Sequence, residues 1–249
     1  MTNLKIGSAV ATPERPLIAV PVMGETVNDV LVMLEQANES QTDVIEWRVD
    51  YLTDPGELQA SQMQTIAFNA DKPLIVTWRT TAEGGQEDFD SIAYHWVYQL
   101  AIASRVAAVD VEVSLLEEVG DVVEVSLLEE VGDVVEDAQS QGITVIGSRH
   151  YFNATPADLD AELQSMVATP VDVVKLAVMP NDSGDVQRLL DATKVANQAK
   201  PLITMAMGEL GQRSRFEGYQ YGSQLTFASL GESSAPGQPS VTQLKAHFE

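Results

Sequence analysis

Residues 172–180 read Asp172-Val173-Val174-Lys175-Leu176-Ala177-Val178-Met179-Pro180. A short run rich in β-branched residues and ending at proline reads as a buried strand. Its single positive charge is Lys175, one of only six lysines in the 249-residue chain. Seven comparable runs occur at 17–22, 44–50, 74–79, 106–113, 143–150, 202–208 and 224–230. Between them lie amphipathic stretches at 27–39, 57–69, 89–104, within 115–139, and at 156–167, 184–198, 209–216 and 241–248. Thr155 followed by Pro156 reads as an N-cap with proline at the first helical position, and Ser183 reads as the next cap. Strands alternating with helices imply right-handed βαβ units and a parallel sheet. Eight such units in this length predict a (β/α)₈ TIM barrel. No linker rich in proline and glycine divides residues 1–249, so one domain is expected.

One segment departs from this pattern. Residues 112–123 read EVSLLEEVGDVV, and residues 124–135 repeat them without a difference. So perfect a repeat is a recent tandem duplication, an engineered insertion or a sequence error rather than an old structural repeat. Twelve extra helical residues would turn an apolar stripe by about a third of a turn. One copy is therefore expected to face solvent, to lengthen the helix off the barrel or to loop out.

The 37 acidic residues against 14 basic ones give a net charge of −23, which repels phosphate backbones and argues against nucleic-acid partners. The acids are interleaved with periodic apolar residues, unlike a disordered acidic tail. Acid excess with scarce lysine suits a protein kept soluble in concentrated salt, where self-repulsion is screened. A halophilic source with a salty cytoplasm is the expectation. No apolar run reaches the length of a membrane span, and the first residues lack a signal-peptide pattern, so a soluble cytoplasmic protein is expected. The absence of cysteine excludes disulfides and thiolate chemistry.

In a barrel of this kind the active site lies at the C-terminal ends of the strands. Glu46 and Arg48 share one face of the second run, Arg79 ends the third, and Glu83 follows it. His150 ends the fifth, Lys175 lies in the sixth, and Arg215, Ser234 and Gln238 follow the seventh and eighth. Each has a bland reading. Glu46 and Arg48 can pair with each other, His150 can be a satisfied strand-end histidine, and Lys175 can snorkel to solvent. Together they predict an electropositive pocket with an amine nucleophile, a base and an arginine clamp for a carboxylate. Burial and neighbouring cations would favour the neutral, nucleophilic amine.

The pattern resembles the type I 3-dehydroquinate dehydratase family, the Schiff-base dehydratases of the shikimate pathway. The resemblance rests on Glu46-Trp47-Arg48-Val49-Asp50, on Thr77-Trp78-Arg79 with Glu83-Gly84-Gly85, and on Ser148-Arg149-His150 leading to Thr155-Pro156. It continues through Val174-Lys175-Leu176-Ala177, Met207-Gly208, Ser214-Arg215, Gly222-Ser223, Thr226-Phe227 and Ser234-Ala235-Pro236-Gly237-Gln238. Tyr151 departs from the acid that often follows the histidine, and the duplicated segment departs as well.

The resemblance implies a cofactor-independent, metal-free syn elimination of water from 3-dehydroquinate. Lys175 forms an imine at the C3 ketone, His150 removes the C2 hydrogen and helps the C1 hydroxyl leave, and hydrolysis frees 3-dehydroshikimate. It further implies that Glu83 orients His150 and that Arg215 and Gln238 hold the substrate carboxylate beside Ser234. Glu46, Arg48 and Arg79 would take ring hydroxyls, and residues 231–239 would close as a lid. A homodimer is compatible with the resemblance; surface patterning gives no oligomeric state. Two alternatives remain at this point: another lysine-dependent barrel enzyme such as a class I aldolase, and a non-catalytic binder of shikimate-pathway acids.

Overall fold

Alternation along the strands builds both the core and the site. The computed structural model describes residues 2–116, 125–196, 199–230 and 237–249. Eight parallel strands form the barrel: β3 (Leu17–Val22), β4 (Val44–Arg48), β5 (Leu74–Thr77), β6 (Ala108–Glu112), β7 (Thr144–Tyr151), β8 (Val173–Val178), β9 (Leu202–Ala206) and β10 (Leu225–Phe227). They run in the order β10-β3-β4-β5-β6-β7-β8-β9. The last seam closes less regularly. Gln224 N donates to Leu202 O at 2.8 Å, and the Ser223 hydroxyl accepts from Thr204 N at 2.9 Å.

Helices α1 (Val27–Glu39), α2 (Ala60–Asn69), α3 (Ser91–Ala103), α4 (Val125–Ser140), α5 (Leu159–Ala168), α6 (Ser183–Ala196), α7 (Gln212–Tyr221) and α8 (Val241–Phe248) follow the eight strands in turn. None of the described helices is long and apolar enough to cross a membrane. On β8, Val174, Leu176 and Val178 join the large apolar layer between sheet and helices, whereas Val173 and Ala177 belong to the barrel interior. A strand buried on both faces carries a nearly continuous apolar run, which is why this segment reads so clearly. A short antiparallel hairpin, β1 (Lys5–Ile6) with β2 (Ala9–Val10), brings Leu4 and Ile6 onto the interior cluster with Val44, Ala108 and Val173. Toward the C-terminal ends the interior residues become polar: Glu46, Thr77, Asp110, Ser148 and Lys175, then Arg79, Glu112 and His150. The register aligns Thr77 with Asp110, and Ser148 with Lys175.

Several expected boundaries shift. Val49–Tyr51 and Val113–Leu115 are 3₁₀ turns rather than strand. Asp158, not Thr155, caps α5 by accepting from Ala161 N at 2.9 Å. Thr155 instead donates its hydroxyl to Met179 O at 3.0 Å, tying the loop after β7 to the end of β8. Asp182, not Ser183, accepts from Gly184 N and Asp185 N at the start of α6. In both cases the ionised carboxylate is a stronger acceptor than the neighbouring hydroxyl.

The duplicated segment is divided between two elements. Glu112, the first residue of the first copy, ends β6, and α4 begins at Val125 in the second copy. Val131, Val134, Val135 and Ala138 form the buried face of α4, so the second copy and its continuation supply the helix stripe. How residues 117–124 connect the two lies outside the described residues. Deleting 113–124 leaves the order of residues after Glu112 unchanged through Val135. The shortened chain, in which Ser126 takes the place of Ser114 after Glu112, is expected to keep kcat/KM within about twofold and to melt no lower, because a shorter connection has less entropy to lose on folding. A loss beyond tenfold in a steady-state assay would mean that the extra copy contributes to the site.

Candidate active site

Lys175 sits in the middle of β8 with its side chain inside the barrel, 5% exposed. Its Nζ donates to Glu46 Oε1 at 2.9 Å and to Asp110 Oδ2 at 2.8 Å, and lies 4.7 Å from the centre of the Phe227 ring. The snorkelling reading is therefore excluded. Two carboxylates compensate its charge. Asp110 also accepts from Arg79 Nη2 at 2.7 Å and from the Ser148 hydroxyl at 2.5 Å. Burial by itself would raise the Asp110 pKa; the charges of Lys175 and Arg79, with the hydrogen bonds from Lys175 and Ser148, outweigh it and hold the group at about 2.

Arg79 is the hub of a second set of contacts. Besides Asp110, it reaches Glu112 Oε1 at 3.1 Å and Glu83 Oε2 at 3.5 Å. Glu112 also accepts from Thr80 N at 2.8 Å and the Thr80 hydroxyl at 2.7 Å, which fixes the loop after β5. Asp50 does the same from the other side. It accepts from Arg48 Nε at 2.8 Å and Nη2 at 2.7 Å and from the backbone N–H groups of Arg79 and Gln86, each at 3.2 Å. Arg48 thus pairs with Asp50 and Glu46 with Lys175, which corrects the reading of Glu46 and Arg48 as partners of each other.

That loop delivers Glu83 to His150. Glu83 Oε2 accepts from His150 N at 3.0 Å and lies 3.0 Å from His150 Nδ1, while Oε1 accepts from the Ser114 hydroxyl at 2.9 Å. With Glu83 ionised, Nδ1–H is the donor and Nε2 is left as a free base. Burial pushes the His150 pKa well below the usual histidine range, and the charges of Arg79, Lys175 and Arg48 push it the same way. The imidazole is therefore neutral at physiological pH. Burial, followed by the charge of Glu112, raises Glu83 to about 7 against the pull of Arg79. Gly84 follows at φ +82°, and a Cβ there would lie 2.3 Å from the Phe152 ring. Only glycine lets Phe152 approach to within 6.4 Å of the His150 ring, centre to centre.

Arg215 is different from every other cation in the site. Its Nε is buried without a hydrogen-bond partner among the described residues, and its Nη1 donates only to Phe227 O at 3.4 Å and Met205 Sδ at 4.0 Å among them. Burial alone lowers its pKa to about 10. Among the described residues this partly buried guanidinium has no counter-charge, which suits it to bind an anion.

These groups surround one cavity of about 270 Å³ at the C-terminal ends of the strands. Eight of the nine residues expected from the sequence line it: Lys175, His150, Glu83, Glu46, Arg48, Arg79, Arg215 and Gln238. Ser234 lies outside the described residues. Met23, Met205, Met207, Phe152 and Phe227 form the apolar wall. The sequence reading missed Asp50, Asp110 and Glu112, which correct the picture of an electropositive pocket. Among the described residues, all but one of its cations are paired with a carboxylate, and Arg215 is the one without such a partner.

The profile of the family described as type I 3-dehydroquinase matches residues 18–249. The chain belongs to the type I 3-dehydroquinase family. It is 36% identical to the 3-dehydroquinate dehydratase of Lactiplantibacillus plantarum over 257 residues, covering 100% of this chain and 96% of the relative. The dehydratase of Enterococcus faecalis is 32% identical over 99% of this chain and 95% of its own length. Among solved structures, the 3-dehydroquinate dehydratase of Geobacillus kaustophilus superposes with a TM-score of 0.87 at 31% identity, covering 99% of this chain and 95% of that one. The type I enzyme of Clostridium difficile, solved with covalently modified comenic acid, has a TM-score of 0.85 at 28% identity, covering 99% and 96%. The fold of this type I 3-dehydroquinase is thus the TIM barrel of its relatives.

Proposed function

We propose that this chain dehydrates 3-dehydroquinate to 3-dehydroshikimate, a step of the shikimate pathway, through an imine on Lys175. The observation that carries this reading is a buried lysine sharing one small cavity with a neutral, carboxylate-oriented histidine and an arginine that has no carboxylate partner among the described residues. A non-catalytic binder has no use for the amine.

Nζ of Lys175, once its proton has passed to a neighbouring base, adds to the C3 carbonyl. Loss of water from the adduct gives the protonated imine, which Glu46 and Asp110 stabilise as counter-charges. His150 Nε2 takes the C2 proton, and the electron pair left behind moves toward the iminium nitrogen to give an enamine. The enamine expels the C1 hydroxyl, which leaves as water with the proton from His150. Water then adds to the remaining imine, releasing 3-dehydroshikimate and the free amine. Arg215, with Gln238, receives the substrate carboxylate; Arg48, Arg79 and Glu46 take ring hydroxyls with the capacity their buried partners leave. Ser234 completes the carboxylate pocket in this reading.

Arg215→Met is expected to raise KM about 100-fold with a smaller change in kcat, the scale of losing a charge-assisted bidentate contact. The same variant is expected to be no less stable than the wild type, because it removes a partly buried charge that has no carboxylate partner among the described residues. An unchanged KM in steady-state assays would place the carboxylate elsewhere.

The dehydratase assay itself, read by the ultraviolet absorbance of the conjugated product, tests the reaction. Run from low to multimolar KCl, it also tests a second reading: that the charge of −23 adapts the protein to the cytoplasm of a halophile. Activity and melting temperature are expected to rise with KCl as self-repulsion is screened. Full activity and stability without salt would remove the halophile reading and leave the reaction standing. Sedimentation velocity in the same series reads whether the chain forms the homodimer compatible with its family.

A further inference from the structure

Ser114 lies on the 3₁₀ turn Val113–Leu115 that follows β6, two residues past Glu112 and inside the first copy of the duplicated segment. Its hydroxyl donates to Glu83 Oε1 at 2.9 Å. The other carboxylate oxygen of Glu83 carries both contacts to His150, and Arg79, at 3.5 Å, is beyond a good hydrogen bond. Oε1 is therefore held by Ser114, and the carboxylate plane that meets the imidazole is set by this hydroxyl. We propose that Ser114 is a positioning residue of the dehydration, the outer member of a Ser114–Glu83–His150 chain that keeps the proton on Nδ1 and the lone pair on Nε2. This inference rests on the dehydratase reading for its use, though not for its geometry.

The charged groups facing Glu83 come from three strands. Arg79 approaches from the end of β5, Asp110 and Glu112 from β6, and His150 from β7. Burial and the two acids favour the protonated carboxyl, and Arg79 and the Ser114 hydrogen bond favour the carboxylate. Glu83 at about 7 is thus balanced near neutrality, where the loss of one donor has the largest effect. The active form needs Glu83 ionised, so activity is present above its pKa and lost as pH falls through it. Removing the hydroxyl raises that pKa and moves the loss to higher pH.

In Ser114→Ala, the acid-side midpoint of the kcat–pH profile is expected to rise by about one unit, the equivalent of one hydrogen bond to a charged group. Below the midpoint kcat falls about tenfold, while KM stays within about twofold, because Ser114 does not line the cavity that holds the substrate. Ser114→Thr, which keeps the hydroxyl, is expected to restore the profile. The link is also read without turnover, from the ring nitrogen resonances of His150, one of only three histidines. Its Nδ1 proton and pH response should change in Ser114→Ala. A wild-type profile with unchanged His150 resonances in Ser114→Ala overturns the inference. Changed resonances in Ser114→Ala, with a wild-type protein that never dehydrates 3-dehydroquinate, uphold the chain of contacts and overturn the reaction instead.

Discussion

Lys175→Ala is expected to lower kcat for dehydration by on the order of 10⁶-fold, the scale on which catalysis collapses when a covalent nucleophile is removed. Among the described residues, Lys175 is the lysine that lines the cavity. The same variant leaves Glu46 without its cation and Asp110 with Arg79 alone. Breaking a buried pair in this way costs about 3–5 kcal/mol, so the melting temperature should also fall. The two effects separate in the double variant Lys175→Ala with Asp110→Asn. Neutralising Asp110 is expected to recover part of the stability and none of the activity, because only the electrostatic half of the defect is repaired. Lys175→Ala with activity near wild type would exclude the imine route.

His150→Ala is expected to lower kcat by about 10³- to 10⁴-fold, the range for a positioned general base and acid. Its signature differs from that of the lysine variant. Imine formation at Lys175 needs the amine and the ketone, whereas removal of the C2 proton needs His150. The intermediate should therefore form and persist. Borohydride added to the His150→Ala protein with substrate should trap as much adduct as in the wild type, or more, while turnover is nearly absent. If neither turnover nor adduct were found, His150 would be acting before the imine, and proton removal from C2 would not be its first task.

The barrel is legible because every strand is buried on both faces and is bounded by turn residues, as residues 172–180 illustrate. The site is legible where a charged side chain interrupts such a run, as Glu46, Arg48 and Lys175 do. Asp110 and Glu112 carry the same signal, since Val109-Asp110-Val111-Glu112 alternates in the same way. Their meaning is not local, however. Asp110 meets Lys175 across β7, and that pairing depends on a register between strands distant in sequence. For the same reason the sequence suggests a cationic pocket, whereas the assembled barrel pairs Arg48, Arg79 and Lys175 with acids and, among the described residues, gives Arg215 none. Helix caps differ from expectation by a few residues where a hydroxyl and a carboxylate compete, as at Thr155 and Asp158. Ser114 is hidden inside the repeat, where nothing local distinguishes it from Ser126.

The central claim is that Lys175 forms the imine, and one measurement reaches it directly. The wild-type protein is incubated with 3-dehydroquinate at high KCl, reduced with borohydride, digested and analysed by mass spectrometry. A single stable adduct on the peptide containing Lys175, absent without substrate, is the predicted result. Dehydration that proceeds with no adduct, or an adduct confined to another lysine, would contradict it.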